Sequence, residues 1–264
     1  MIARLRSEED IEVPIDNIFK HPTLKLFSKN LEKLSKYSKL LINSKSEGNI
    51  FKITDGIDGE HNSPLYLIHE AIGIIHPYVN LKNIVVNSLY AIEDPYIGEE
   101  NSGFANIREM INCYAESIKR HHQKYHSYKP ISIGGWSFGA IVAYEIAILL
   151  TELLQVDNLI IIDRQIKKDR TKNLILNKKQ DNQPDINRNS KLLINYQTTQ
   201  HYNSKLTLIK AKTDSDLTNN NYGWDKFAKE VVVYEAEGNH YTLFHEDNII
   251  SIAKILNSLS VKML

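Results

Sequence analysis

The chain has 264 residues, of which 42% are hydrophobic, and its 32 Lys and Arg residues balance its 32 Asp and Glu residues to a net charge of zero. That length suits one large domain, or one domain with a short appendage, and the balanced charge argues against a nucleic-acid surface or a basic membrane patch. Cys113 is the single cysteine, so no internal disulfide can form, which fits a reducing compartment and predicts a cytoplasmic location.

The hydrophobic stretches do not indicate export or membrane insertion. Residues 1–10 are charged and lack the apolar segment of a secretory signal. The most apolar stretch, Ile141 to Leu154, is shorter than a membrane span and contains Glu145. We therefore expect no membrane association.

The first 63 residues differ in pattern from the rest of the chain. Residues 1–34 are typical of a small helical segment, and residues 35–63, rich in Lys, Ser, Asn and Gly, are typical of a linker. The main domain is therefore expected over residues 64–264.

From residue 64 onward, strand and helix patterns alternate, which predicts an α/β domain with a mainly parallel central sheet. The predicted strands are Leu65–His69, Asn83–Leu89, Ile131–Ile133, Asn158–Ile162, Leu206–Ala211 and Val231–Glu235. Helical spacing is clearest in Asn106–Tyr125 and Asn248–Leu259. Cys113 falls inside the first of these helices and is expected to be an ordinary buried thiol.

One long polar segment interrupts the alternation. Residues 165–204 are rich in Lys, Asn, Gln and Asp and follow a predicted strand. An insertion of this length after a strand that carries a site residue is typical of a mobile lid, although a disordered surface loop has the same composition.

The segment from Ile131 to Ala140 has the pattern of a nucleophile elbow. An apolar, β-branched run leads into Gly135-Trp136-Ser137-Phe138-Gly139, and an apolar helical stretch follows. Such a turn raises its serine at the carboxyl edge of a sheet, and its glycines let strand and helix approach closely. Ser137 is therefore the candidate nucleophile. The alternative is a glycine-rich turn whose serine has no catalytic role.

A serine nucleophile needs a base, and the base needs a carboxylate to orient it. In this strand–turn–helix arrangement the chain order is nucleophile, acid, histidine. Asp163 follows a predicted apolar strand, and His240 lies in the turn after the last strand. Because carboxyl ends of parallel strands meet at one edge, we expect Ser137, Asp163 and His240 to converge there.

Each partner has a competitor in the sequence. Asp163 could simply cap a turn. The competing acid is Asp214, with Asp216 behind it, after the Leu206–Ala211 strand. His245 is a rival base, although it lies where the final helix begins.

Attack on an acyl carbonyl creates an oxyanion, which two backbone N–H groups should bind. One donor is the residue after the nucleophile, Phe138, and the other comes from the loop after the first strand of the domain, where we choose Ala71. That loop could instead be a plain strand-end turn. No Cys or His cluster has zinc-ligand spacing and no phosphate-binding glycine loop is present, so no metal or nucleotide cofactor is expected.

Several blocks of this sequence resemble the thioesterase domains that end nonribosomal peptide and polyketide synthetases. They are Leu67–Gly73 with Pro77, Tyr78 and Leu81, Ile107–Tyr114, Pro130–Ala147, Ile160–Arg164 and Gly238–Tyr241. The resemblance runs from about residue 64 to 259; it fails in the lid, and Glu70 stands where many members have proline. It implies an α/β-hydrolase fold with helices on both faces of the sheet and a lid over about 165–204. It also implies the triad Ser137, Asp163 and His240, with an oxyanion hole at Ala71 and Phe138.

A second resemblance concerns the first 34 residues. The segments Ala3–Arg6, Ile11–Ile15 and Ile18–Leu24 resemble the carboxyl-terminal half of a peptidyl carrier domain. The serine that bears phosphopantetheine in that family would lie before Met1, and Ser7 lacks the glycines that precede it. The chain is therefore expected to be the tail of a longer synthetase or a protein reduced from one. A short helical extension that packs on the main domain is the alternative.

The resemblance implies release of a carrier-bound peptidyl or polyketide acyl chain through an acyl-Ser137 ester, by hydrolysis or macrocyclisation. The phosphopantetheine arm of a partner carrier protein would deliver the thioester, and the chain would need no cofactor of its own. The alternatives are a free-standing (type II) editing thioesterase, an esterase of small diffusible esters, and a catalytically inactive module that docks a carrier.

Overall fold

The computed structural model describes residues 46–57, 62–97, 99, 102–166, 184–194, 196–198, 200–213 and 220–260. The chain divides into two units, residues 1–45 and residues 46–264. The carrier-like segment predicted for residues 1–34, and the linker as far as residue 45, lie outside the described residues.

Eight strands within the described residues form one sheet, in the order β1-β2-β4-β3-β5-β6-β7-β8. The strands from β3 to β8 run parallel to their neighbours, whereas β1 with β2 and β2 with β4 are antiparallel. The prediction of a mainly parallel sheet is thus confirmed. The strands are β1 (Ser46–Glu47), β2 (Ile50–Thr54), β3 (Leu65–Ile68), β4 (Leu89–Ile92), β5 (Ile131–Trp136), β6 (Val156–Ile162), β7 (Tyr202–Ala211) and β8 (Ala228–Ala236).

Helices connect most of the parallel strands, as crossover connections require. They are α1 (His76–Val79), α2 (Ile107–Tyr125), α3 (Phe138–Thr151), α4 (Pro184–Leu192) and α5 (Ile249–Ser260), with a 3₁₀ turn at Trp224–Lys226. No helix in the described part of the chain has the length and hydropathy needed to cross a bilayer.

Helix α2 shows how the sequence sets an element that supports the site. Asn106 caps it by accepting the backbone N–H of Glu109 at 2.9 Å, and the Glu109 carboxylate in return accepts the N–H of Ala105 at 2.8 Å. One face of the helix is buried and includes Ile107, Ile111, Tyr114, Ile118 and His122. The prediction for Cys113 is wrong, because this residue lies off that face and is exposed.

The core occupies both faces of the sheet. Tyr66 and Ile68 of β3 belong to a cluster with α2 and α3, while Leu65 and Leu67 are equally buried and point to the opposite face by strand alternation. Helix α3 is buried along nearly its whole length. The elbow that precedes it is therefore supported by tightly packed structure.

Two expectations about strands need correction. Part of the predicted linker is sheet, because β1 and β2 lie within it and β2 pairs with β4. The strand predicted at Asn83–Leu89 begins only at Leu89. Residues 84–86 form a loop instead, held to α5 by Asn257, whose side chain bonds the N–H of Val86 at 2.9 Å and the C=O of Ile84 at 3.0 Å.

Candidate active site

The turn between β5 and α3 holds Ser137 in an unusual conformation. Ser137 has φ 53° and ψ −109°, a region that residues other than glycine rarely adopt and that is typical of functional sites. Its N–H donates to the C=O of Ile162 at 3.1 Å. Because α3 begins at the next residue, the serine stands both at a helix N-terminus and at the carboxyl edge of the sheet.

Two glycines make this turn possible. A Cβ atom on Gly135 would lie 2.4 Å from the carbonyl carbon of Gly139, and one on Gly139 would lie 2.4 Å from the carbonyl oxygens of Ile68 and His69. Such short contacts exclude any side chain. The first turn of α3 therefore packs directly on the end of β3, which brings the loop after β3 beside Ser137.

A tight turn after β8 presents His240. Gly238 has φ 98°, and the side-chain oxygen of Asn239 accepts the N–H groups of Tyr241 and Thr242 at 3.0 and 3.1 Å. Asparagine commonly fixes turns in this way. The turn leaves 28% of the His240 side chain exposed.

The structure brings Ser137, Asp163 and His240 together. The His240 Nδ1 atom lies 2.6 Å from Oδ2 of Asp163, and Nε2 lies 3.2 Å from Oγ of Ser137. A carboxylate can only accept, so Nδ1 carries the proton and Nε2 is left to accept from the serine hydroxyl. The other Asp163 oxygen accepts the N–H of Ala211 at 2.9 Å. This chain of contacts is able to pass the serine proton to the imidazole.

The sequence also offered Asp214 and Asp216 as alternative acids and His245 as an alternative base. Asp214 and Asp216 lie outside the described residues. The side chain of His245 is exposed, and the imidazole within reach of Ser137 is that of His240. The alternative in which Asp163 only caps a turn leaves its 2.6 Å contact with His240 unexplained.

The loop after β3 is organised by a fully buried histidine. Nδ1 of His69 lies 2.6 Å from the C=O of Glu70, Nε2 lies 2.7 Å from the hydroxyl of Tyr114, and the ring stacks on Phe138 with 5.8 Å between centroids. Burial lowers the pKa of His69, so the ring is neutral. Its Nδ1–H donates to Glu70 and its Nε2 accepts from Tyr114. His69 thus ties the loop to α2 and to the start of α3.

Two amides near Ser137 remain the predicted oxyanion donors. Within the loop, the N–H of Ile72 donates to the Glu70 carboxylate and the N–H of Gly73 donates to the Glu70 carbonyl, both at 3.0 Å. The N–H of Ala71 has no acceptor among the described residues. The N–H of Phe138, at the first position of α3, has no intrahelical acceptor because of helix geometry, and the helix dipole favours negative charge there.

Aromatic rings surround His240. The centroid of Trp136 lies 5.3 Å from His240 and 5.4 Å from Phe244, and Tyr241 meets the imidazole edge-on at 5.3 Å. These rings restrict the orientation of the imidazole. Sequence reasoning did not assign them a role, although the position of Trp136 inside the elbow and of Tyr241 beside the histidine was an available signal.

The model of the thioesterase domain family matches residues 63–202, which is just over half of the chain. The chain belongs to the thioesterase domain family. It is a hydrolase with the α/β-hydrolase fold. The matched range includes Ser137 and Asp163 but ends before His240, which the structure brings to the same site.

Relatives and solved structures agree with this family. An inactive atromentin synthetase of Paxillus involutus is 28% identical over 138 residues, which are 52% of this chain and 14% of that protein. Thioesterase frbD of Dothideomycetidae sp. is 34% identical over 102 residues, 38% of this chain and 37% of that protein. The NocB thioesterase domain, solved as a covalent complex with a fluorophosphonate nocardicin G analog, has a TM-score of 0.61 at 25% identity and covers 75% of this chain and 94% of its own. The chain therefore corresponds to a small part of the synthetase it matches, and to nearly all of a solved thioesterase domain.

Proposed function

We propose that this chain is a serine thioesterase that releases a peptidyl or polyketide acyl chain from a carrier protein through an acyl-Ser137 intermediate. The observation that supports it most is the hydrogen-bond sequence from Ser137 through His240 to Asp163. It combines an activated nucleophile with a base whose tautomer is fixed.

In the acylation step, Ser137 Oγ attacks the thioester carbonyl while its proton moves to Nε2 of His240. The amides of Phe138 and Ala71 bind the oxyanion, and each such donor contributes a rate factor of about 10² to 10³. The C–S bond then breaks, and the proton on Nε2 passes to the departing thiol. Asp163 stabilises the imidazolium that forms between these transfers.

Release of the acyl group repeats the chemistry with a second nucleophile. Either water or a nucleophile within the acyl chain gives its proton to His240 and attacks the ester carbonyl. The C–O bond to Ser137 breaks, and the serine recovers its proton. Water yields a free acid and an internal nucleophile yields a ring. The segment between β6 and β7, which includes α4, would favour cyclisation if it excluded water from the site.

A carrier protein is the partner that this function requires. Relatives such as the atromentin synthetase are much longer than the matched segment, which supports substrate delivery by neighbouring parts of a synthetase. The phosphopantetheine arm would be a substrate carried by the partner, so the chain itself would hold no cofactor.

Covalent labelling tests the nucleophile. A fluorophosphonate should form an adduct on Ser137, located by mass spectrometry of peptides. The Ser137→Ala variant should lose the label and lower turnover of an acyl-phosphopantetheine thioester by up to about 10⁶-fold. Ser132→Ala is a matched control, because Ser132 lies in the same strand but bonds Asn158 away from the edge. It should keep both label and turnover.

Other outcomes identify the alternative functions. A module that only docks a carrier would take no label. An esterase of diffusible esters would turn over substrates equally well without the phosphopantetheine arm. Normal turnover by Ser137→Ala would overturn the proposal.

A further inference from the structure

A single tyrosine hydroxyl joins the two strand ends from which the active-site turns depart. Tyr78, on α1, is fully buried. Its O–H donates to the C=O of Ile68 at 2.6 Å and accepts the N–H of Trp136 at 3.1 Å. Ile68 is the last residue of β3, before the loop that contains Ala71. Trp136 is the last residue of β5, before Ser137.

The hydroxyl bonds the last backbone acceptor and the last backbone donor of this strand pair. Strands β3 and β5 are parallel, and their last paired residues are Ile68 and Gly135. In this parallel register the N–H of Trp136 faces the C=O of Ile68. Both groups also bond the Tyr78 hydroxyl, which accepts from the Trp136 N–H and donates to the Ile68 C=O. The hydroxyl therefore ties the two strand ends together at the point where their pairing stops.

Surrounding groups fix the position of this hydroxyl. Pro77 lies in the first turn of α1, where its restricted φ suits a helix start. The Tyr78 ring meets Phe244 edge-on with 5.3 Å between centroids, and Phe244 packs on Trp136. Burial raises the pKa of Tyr78, so the phenol keeps its proton and can donate and accept at once.

From this geometry we propose that Tyr78 is a positioning residue that sets the spacing between the two oxyanion donors. The inference rests on the proposed function. Phe138 follows Trp136 by two residues and Ala71 follows Ile68 by three, so the gap between the strand ends controls the gap between their N–H groups. A misplacement of about 1 Å can cost about 10²-fold in rate. Tyr78 itself touches neither the nucleophile nor its base in the contacts described above.

The Tyr78→Phe variant tests this role, since it keeps the ring and removes only the bridge. We expect kcat for an acyl thioester to fall about 10- to 100-fold with KM within about twofold, because only transition-state binding is lost. The pH midpoints of kcat/KM should not move, because Ser137, His240 and Asp163 keep their contacts. An aryl boronic acid, which forms a tetrahedral anion on a serine, should bind more weakly by the same factor as the loss in kcat/KM.

Tyr144→Phe is the matched control. The Tyr144 hydroxyl is also in a buried residue, within 2.8 Å of the C=O of Gln200 and 2.7 Å of that of Phe227, but it touches neither strand end. Both variants should lower Tm, and only Tyr78→Phe should lower kcat. Equal losses of kcat in both variants, or full kcat in folded Tyr78→Phe, would overturn the inference.

Ser137→Ala separates the two proposals. If it abolishes turnover while Tyr78→Phe does not change it, the inference alone fails. If it leaves turnover intact, the proposed function fails.

Discussion

Two buried carboxylates occupy similar places in this fold and have different partners. Asp163 follows β6 directly and Asp94 lies two residues after β4, with 7% and 1% of their surfaces exposed. Asp163 meets the imidazole of His240 at 2.6 Å. Asp94 meets the guanidinium of Arg188 at 2.6 Å and the amide of Asn189 at 3.0 Å. A neutral imidazole has one nitrogen that can accept a proton, whereas a guanidinium has only donors.

Arg188 lies in a cage of backbone carbonyls. Its Nη1 atom lies within 3.0 to 3.2 Å of three carbonyl oxygens in the loop after β4, those of Tyr96, Glu99 and Ser102. Arg188 belongs to α4, and Asp94 in turn donates its N–H to the C=O of Gly73 at 2.9 Å. This ion pair therefore fastens a helix of the predicted lid to a loop that also supports the oxyanion segment.

The partner of each buried carboxylate determines whether it can take part in proton transfer. His240 uses one nitrogen for Asp163 and directs the other to Ser137, so the pair can pass a proton outward. Arg188 directs its described donors to a carboxylate and to carbonyl oxygens, and a guanidinium has no atom that can accept a proton. The same kind of residue after a strand thus serves two purposes, and its partner decides which one.

The largest expected effect comes from neutralising the carboxylate beside the histidine. Asp163→Asn should lower kcat by about 10⁴-fold, since the imidazole loses the group that holds its proton on Nδ1 and stabilises its charged form. Steady-state kinetics with an acyl thioester would measure this. Asp94→Asn is the control, and its folded form should keep kcat within about tenfold. Equal losses of kcat at the two positions would mean that the comparison between them does not hold.

The second effect is on stability and should come from the other carboxylate. Arg188→Met leaves Asp94 buried without its cation, and breaking such a pair typically costs about 3 to 5 kcal/mol. Urea unfolding of the purified protein would measure the change in free energy.

A double-mutant cycle then measures the interaction free energy between Arg188 and Asp94. The side chains are largely buried, with 19% of Arg188 and 0% of Asp94 exposed. The double variant Arg188→Met/Asp94→Leu removes both charges from the protein interior. The double variant should therefore recover much of the loss seen in Arg188→Met. Additive losses would show that the two side chains act independently.

Sequence reasoning reached the local parts of the site and not the parts that depend on register. The elbow could be predicted because its glycines, serine and flanking strand and helix are contiguous, and Asp163 and His240 follow from chain order and strand ends. Strands β1 and β2 were missed because they lie in a stretch rich in Lys, Ser, Asn and Gly, whose composition is typical of a linker. Asp94 and Arg188 lie 94 positions apart, and Tyr78 lies 10 positions from Ile68 and 58 from Trp136. Local sequence patterns do not predict these contacts.

A third environment extends the comparison, because in it one buried and one half-buried histidine lie beside hydroxyl groups instead of a carboxylate. At the end of α2, Nδ1 of His121 lies 2.9 Å from the hydroxyl of Tyr66, and Nε2 of His126 lies 2.9 Å from that of Tyr90. Burial lowers the pKa of each histidine to about 4, although Glu47 partly offsets this for His121. In the unfolded chain both rings have a pKa near 6.5.

These lowered pKa values should make the folded protein less stable in acid than at neutral pH. Between about pH 6.5 and pH 4 the two histidines are protonated in the unfolded chain but stay neutral in the folded chain. The free energy of unfolding therefore decreases as the pH falls through this range. Tm should therefore decrease from pH 7 to pH 5, and less steeply in His121→Gln/His126→Gln. His245→Gln, at an exposed position, should keep the wild-type slope. If Tm of the double variant falls with pH as steeply as in the wild type, other groups cause the acid sensitivity. The folded protein would then accept a charged imidazole beside a tyrosine hydroxyl, and the contrast with Asp163 would not hold.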